Sequence, residues 1–200
     1  ALERAGVGLG AAVDGGATAL GRPSTLVRLT ADGAWRVTPG GLYDEAYIQR
    51  RVKRTILFVC TGNTCRSPMS EAIATDLAAR AGASGVPTVV KSAGLSGGGG
   101  APPTPEALAA LQATGVRARP GKSKGLSRAM IDEADVVFAM TRAHAAGVLD
   151  LAPGAEGKVR LLDPRGEDID DPIGGEQRVY TALARTLAGH IQRRLTEMDA

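Results

Sequence analysis

Aromatic side chains are scarce in this chain. They make up 3% of its 200 residues, and from residue 55 onward only Phe58, Phe138 and Tyr180 remain. A slot that stacks a substrate ring between aromatic walls cannot be built from so few. Cysteine is scarcer still. Cys60 and Cys65, five positions apart, are the only two. That excludes a disulfide framework and makes a reducing cytoplasm the expected compartment. No apolar run approaches the roughly 18 residues of a membrane span. The first residues lack the compact apolar core of a secretory signal. An excess of one charge is also missing: 24 Lys and Arg against 21 Asp and Glu leave a net +3, spread along the chain. No nucleic-acid and no membrane partner is therefore expected. The two histidines, His144 and His190, stand far apart, with no His/Asp cluster at ligand spacing. No metal and no cofactor is expected, and each histidine reads as a surface or helix residue. The chain begins with Ala1 rather than Met, which reads as an internal piece of a longer polypeptide.

What is present centres on Cys60-Thr61-Gly62-Asn63-Thr64-Cys65-Arg66-Ser67-Pro68. The apolar run Ile56-Leu57-Phe58-Val59 precedes it and Met69-Ser70-Glu71-Ala72-Ile73 follows, so the stretch reads as strand, tight loop and helix. Ser67 is a suitable N-cap, and Pro68 suits the first helical position, where its missing N–H costs nothing. A loop feeding a helix N-terminus aims backbone N–H groups at one point and adds the positive end of the helix dipole. Such a point takes a phosphate-sized anion. Cys60 would form the floor of that cup, where the same N–H groups favour the thiolate, the nucleophilic form of cysteine. Arg66 supplies a planar fork matched to two phosphate oxygens. Asn63 suits a left-handed turn in the loop.

Residues 1–50 do not read as a complete domain. A Gly- and Ala-rich stretch over 5–22 precedes two strand-like runs, Ser24–Leu29 and Trp35–Val37, joined by the turn signal Asp32-Gly33. A charged helix or linker follows at 44–54, where the domain boundary falls. From Thr55 strands alternate with helices. Strands are expected at 55–60, 88–92, 135–140 and 158–162, and helices at 68–81, 105–114, 127–133, 142–151 and 176–197. Met69, Ile73 and Leu77 mark one face of the first of these helices. Val179, Leu183, Leu187, Ile191 and Leu195 form a stripe on the last. The alternation predicts an α/β fold, a parallel sheet with helices on both faces, preceded by a small partial β segment. Ligands of such sheets bind at the carboxyl ends of strands, where Cys60 lies.

The nine residues 60–68 resemble the signature of the low-molecular-weight protein phosphatase family, and the resemblance covers 55–200 almost completely. It implies a four-stranded parallel sheet in the order 2-1-3-4, in a domain spanning 54–200. It also implies a two-step reaction. Cys60 attacks phosphorus and forms a phosphocysteine, which water then hydrolyses, while Arg66 and the loop 61–67 (Thr61, Gly62, Asn63, Thr64, Cys65, Arg66, Ser67) hold the phosphoryl oxygens. The family's general acid lies in an Asp-Pro before the final helix. Asp171-Pro172 fits that place, whereas Asp163-Pro164 ends a strand and reads as a turn former. Ser67 is expected to donate to the Cys60 thiolate, and Ser92 in Ser92-Ala93-Gly94 to buttress the loop.

Phosphotyrosine members of the family carry a bulky aliphatic residue before the second loop cysteine and aromatics after the Asp-Pro. Here those places hold Thr64 and Ile173-Gly174-Gly175. Both features resemble the bacterial protein arginine phosphatases, in which the threonine is a polar specificity element. The expected substrate is therefore protein phosphoarginine, with phosphotyrosine as the alternative. A non-catalytic redox or phosphate-binding module is a further alternative. Arsenate reduction on this fold would need relay cysteines, and none follows Cys65. Cys65 is the expected redox partner of Cys60. The partner is expected to be a phosphorylated protein, and the chain a monomer or weak oligomer. Residues 1–50, with Val13-Asp14-Gly15-Gly16, Pro23-Ser24-Thr25 and Trp35–Gly40 in that order, resemble the end of a threonylcarbamoyl-AMP synthase domain. Most of that domain is absent, so no synthase activity is expected.

Overall fold

Val27–Leu29 (β1) and Trp35–Val37 (β2) pair antiparallel, with Val27 opposite Val37 and Leu29 opposite Trp35. They belong to the first of two units into which the chain divides, Ala1–Val52 and Lys53–Ala200. The computed structural model describes residue 16 and residues 19–30, 35–81 and 87–199. The Asp32-Gly33 turn and most of the Gly/Ala-rich stretch therefore lie outside the described residues. In the first unit the Tyr43 N–H donates to Thr25 Oγ1 at 2.8 Å. The helix Glu45–Arg51 (α1) starts on Asp44, whose carboxylate accepts the Tyr47 N–H at 2.7 Å.

The second unit is built on four parallel strands: Arg54–Cys60 (β3), Thr88–Gly94 (β4), Val136–Ala139 (β5) and Val159–Leu161 (β6). Their order is β4-β3-β5-β6, which is 2-1-3-4 counted within the unit. Side chains of a strand alternate between faces, and β3 shows the result. Ile56 and Phe58 pack on one face with Phe138, against Arg66–Ala81 (α2), Pro105–Ala113 (α3) and Gln177–Asp199 (α6). Leu57 and Val59 pack on the other with Val137, against Arg128–Glu133 (α4) and Arg142–Leu151 (α5). With both faces covered, β3 is apolar from Ile56 to Cys60, as buried parallel strands are. Threonine or serine caps open three helices: Thr104 for α3, Ser127 for α4 and Thr141 for α5.

Two local expectations are corrected. The line of buried residues on α6 is Tyr180, Ala184, Leu187 and Ile191, while Val179 is exposed. A stripe repeating every four residues drifts around a helix of 3.6 residues per turn, so one end of it leaves the core. The helix α2 begins at Arg66, not Pro68. Helical bonding starts one residue after the loop closes, with the Met69 N–H on the Cys65 carbonyl at 3.1 Å. Ser67 thus lies inside the first turn and caps nothing.

Candidate active site

Cys60 ends β3 and is 3% exposed. The loop after it curls back on β4, and three backbone bonds pin it. The Leu95 N–H donates to the Cys60 carbonyl at 2.9 Å, Ser96 to Thr61 at 2.9 Å and Thr104 to Thr64 at 3.0 Å. The approach is close enough to require glycine at position 94. A Cβ there would lie 2.5 Å from the Thr61 carbonyl oxygen and 2.8 Å from the Asn63 nitrogen.

Asn63 is the hub of the loop. It is the one described non-glycine residue with positive φ, at 55°, a left-handed conformation that asparagine tolerates. Its buried amide donates to Ser67 Oγ and Ser92 Oγ, each at 2.8 Å, and its carbonyl accepts the Lys124 N–H at 2.8 Å. Three chain segments are tied to one side chain. Ser92 also donates to Glu71, itself 3.9 Å from Lys124 Nζ.

Ser67 Oγ lies 3.0 Å from Cys60 Sγ and 3.3 Å from the Ala93 carbonyl. A hydroxyl has one hydrogen and two lone pairs. Beside a Cys60 thiol, Ser67 accepts the S–H and donates to Ala93. Beside a thiolate, it turns its O–H onto the sulfur. Asn63 donates to it in both cases, so the two arrangements differ in which way the one Ser67 hydrogen points.

Arg66 is 4% exposed. One terminal nitrogen donates to the Ile169 carbonyl at 3.0 Å and the other to Asp171 Oδ2 at 2.5 Å. A guanidinium has five N–H groups, so donors remain for an anion. The Asp171 side chain is 41% exposed, and its other oxygen accepts the Ile173 N–H at 3.3 Å. Asp163, the other Asp-Pro carboxylate, is buried and bonded to Arg165. The structure thus brings Arg66 and Asp171 together and keeps Asp163 out of their contact. Asp170 is exposed and, among the described residues, bonds neither Arg66 nor Cys60.

Thr64 is half-buried, with its hydroxyl 3.7 Å from Cys65 Sγ. Cys65 is buried, 3.6 Å from the Tyr180 hydroxyl and 3.7 Å from Thr104 Oγ1. Both cysteines are free thiols. Burial, and then the contact with Cys65, raises the Tyr180 phenol above its ordinary value.

The sequence reading missed His144. It is a helix residue, in α5, but a buried one with two hydroxyl partners. Its Nε2 lies 2.9 Å from Thr61 Oγ1 and its Nδ1 2.8 Å from Thr141 Oγ1. Burial first, and then the Arg66 charge, lower its basicity, against the opposing pull of Asp171 and Asp168. The ring is therefore neutral at pH 7. Its spacing from Thr141, an N-cap and the third residue of the helix, is the one signal the sequence held.

A buried cysteine at a parallel-strand terminus, a pinned loop opening a helix, and an arginine bonded to a loop carboxylate define a phosphoryl-transfer type of α/β protein. The sequence profile of the family described as low molecular weight phosphotyrosine protein phosphatase matches residues 55–199, and the chain belongs to that family. It is 36% identical over 143 residues to a protein-arginine-phosphatase of Geobacillus stearothermophilus, covering 69% of this chain and 91% of that one. It is also 36% identical over 127 residues to low molecular weight phosphotyrosine protein phosphatase 2 of Drosophila melanogaster, covering 62% and 76%. Among solved structures it resembles a cysteine-to-serine variant of the YwlE arginine phosphatase with a phosphorylated active-site serine. The TM-score is 0.67 at 31% identity, covering 72% of this chain and 95% of that one.

Proposed function

We propose that residues 54–200 are a protein phosphatase that works through a phosphocysteine and acts on protein phosphoarginine, and that residues 1–50 are the end of a synthase-like domain with a linker. In this reading Cys60 attacks phosphorus in line, and Arg66 with the loop N–H groups carries the charge spread over the phosphoryl oxygens. Asp171 protonates the departing nitrogen, then takes a proton from the water that releases phosphate. The substrate placement rests chiefly on one observation. Phe58, Phe138 and Tyr180, the only Phe, Tyr or Trp residues after residue 55, are all buried at 1–2% exposure. None is free to wall a slot for a phenyl ring. The hydroxyl of Thr64 suits a guanidinium, whose N–H groups need an acceptor. The name of the Geobacillus relative supports the same substrate, and that of the Drosophila relative supports phosphotyrosine.

The ratio of kcat/KM on phosphoarginine and phosphotyrosine peptides decides between them. Thr64→Ile removes the hydroxyl and adds an apolar wall, so that ratio should fall by at least ~10-fold, about 1.4 kcal/mol. A wild type that prefers phosphotyrosine, or a ratio unmoved by the substitution, would defeat the arginine reading and leave the phosphocysteine reading standing.

Cys65 is the proposed trap for a sulfenic acid formed on Cys60. Peroxide should inactivate the wild type reversibly, with thiol restoring activity, and the Cys65→Ser variant irreversibly. Equal recovery of the two would remove Cys65 from redox protection.

A further inference from the structure

The hydrogens around His144 can be counted. Thr141 Oγ1 accepts the His144 backbone N–H at 3.2 Å as the cap of α5 and also meets His144 Nδ1 at 2.8 Å. The neutral ring carries one N–H. Were it on Nδ1, Thr141 would accept twice and its own half-buried hydrogen would lack a described partner. With the hydrogen on Nε2, Thr141 gives its O–H to Nδ1 and every donor at the buried end is used. His144 Nε2–H then donates to Thr61 Oγ1 at 2.9 Å. The one hydrogen left over is the Thr61 O–H, at an exposed residue next to Cys60 in the loop.

We propose that His144 is a positioning residue that turns the Thr61 hydroxyl into a fixed donor toward the phosphoryl oxygens held above Cys60. The assignment rests on the phosphoryl-transfer reading of the loop. A rotating hydroxyl can give its hydrogen in several directions. One lone pair of Thr61 is occupied by the histidine, which removes the chance of donating back to the ring and leaves the O–H for the anion. The carboxylates whose fields reach the ring, Asp171 and Asp168, and the Arg66 charge that opposes them lie on the two elements closing the site, α2 and the loop after β6. The ring therefore ties α5 to the same mouth that Arg66 and Asp171 frame. Thr61 thus contributes a side-chain donor in addition to its place in the loop backbone.

The test is a double-mutant cycle read by calorimetric binding of inorganic phosphate, with kcat and KM on a phosphoarginine peptide alongside. Thr61→Val should weaken phosphate roughly 10-fold, the scale of one hydrogen bond to a charged group. Thr61→Ser should bind within a few-fold of wild type. His144→Ala should lose affinity comparably, His144→Gln should recover part of it through its amide N–H, and the double variant should be no weaker than Thr61→Val alone. Additive losses in the double variant, or a Thr61→Val that binds phosphate like the wild type, would overturn the proposal. Thr61 is exposed, so its substitution keeps the test valid even where a change at buried His144 impairs folding. A wild type that binds no phosphate overturns both this proposal and the anion-cup reading beneath it. Phosphate binding with an unaffected Thr61→Val overturns this proposal alone.

Discussion

Two Asp-Pro pairs, eight residues apart, meet opposite fates. Asp171 lies at the mouth of the loop, 41% exposed at its side chain, with one oxygen on Arg66 and the other on a backbone N–H. Asp163 is 5% exposed at its side chain. It accepts the Arg165 N–H at 2.8 Å and the Arg165 guanidinium at 3.2 Å, and His190 Nε2 stands 3.5 Å away. The Arg194 guanidinium, on α6, donates to the carbonyls of Leu161, Leu162 and Asp163. One carboxylate thus sits beside an arginine that has donors to spare, in reach of a ligand. The other ties a strand end to its turn. The dipeptide alone assigns neither role; the partners do.

The largest expected break in this comparison is Asp171→Asn. The rate on substrates with poor leaving groups should fall by roughly 10²–10⁴, the scale of losing a general acid, with the thermal midpoint nearly unchanged. A leaving group that needs no proton should shrink the loss. Should Asp163→Asn show that kinetic pattern instead, the two roles are exchanged.

Asp163→Asn should instead act on folding. The amide puts an NH2 where a buried carboxylate oxygen accepts from Arg165 or stands against His190, and a buried donor left unmatched costs about 1–3 kcal/mol of stability, read as a lower denaturation midpoint with kcat of the folded enzyme retained. A variant as stable as wild type would refute a structural role for Asp163.

The smallest effect sharpens the contrast through pH. Burial alone would raise the Asp163 carboxyl, but the Arg165 hydrogen bonds and the His190 charge outweigh it and hold the group below its ordinary 3.8. The unfolded chain then binds more protons than the native one in that range, so stability is present above pH 3.8 and is lost as pH falls below it. Acid denaturation curves of Asp163→Asn should be flatter on that limb than those of wild type. Parallel curves would show that Asp163 does not contribute to it.

The sequence was informative where one residue type meets one demand. The strand–loop–helix frame, the order of apolar runs and the asparagine in a left-handed turn follow from patterns local to a few residues. The observed sheet order follows the family resemblance. Boundaries shifted by one or two residues, and the start of α2 moved because the loop's own backbone bonds, not a capping side chain, set it. His144 stayed hidden because its partner Thr61 lies 83 residues earlier. Tyr180 stood outside the stripe expected on the last helix, and its contact with Cys65 spans 115 residues. Periodicity shows which side of a helix is inward and gives no sign of which distant hydroxyl that side will meet.

The wiring of the loop has a consequence for how the chain is made. Cys60 and Arg66 lie in the first third of the sequence, but the groups that hold them come later. Asn63 needs Ser92 and Lys124, and Arg66 takes its partners from Ile169 and Asp171, 103 and 105 residues onward. A ribosome releasing the chain from its first residue exposes a thiol long before it exposes the frame that aims it. Contacts of such separation form late, because the chain between them must first be closed. Through that interval Cys60 and Arg66 are without the partners that fix them, and the fittings of the loop are completed only once the turn before α6 has left the tunnel.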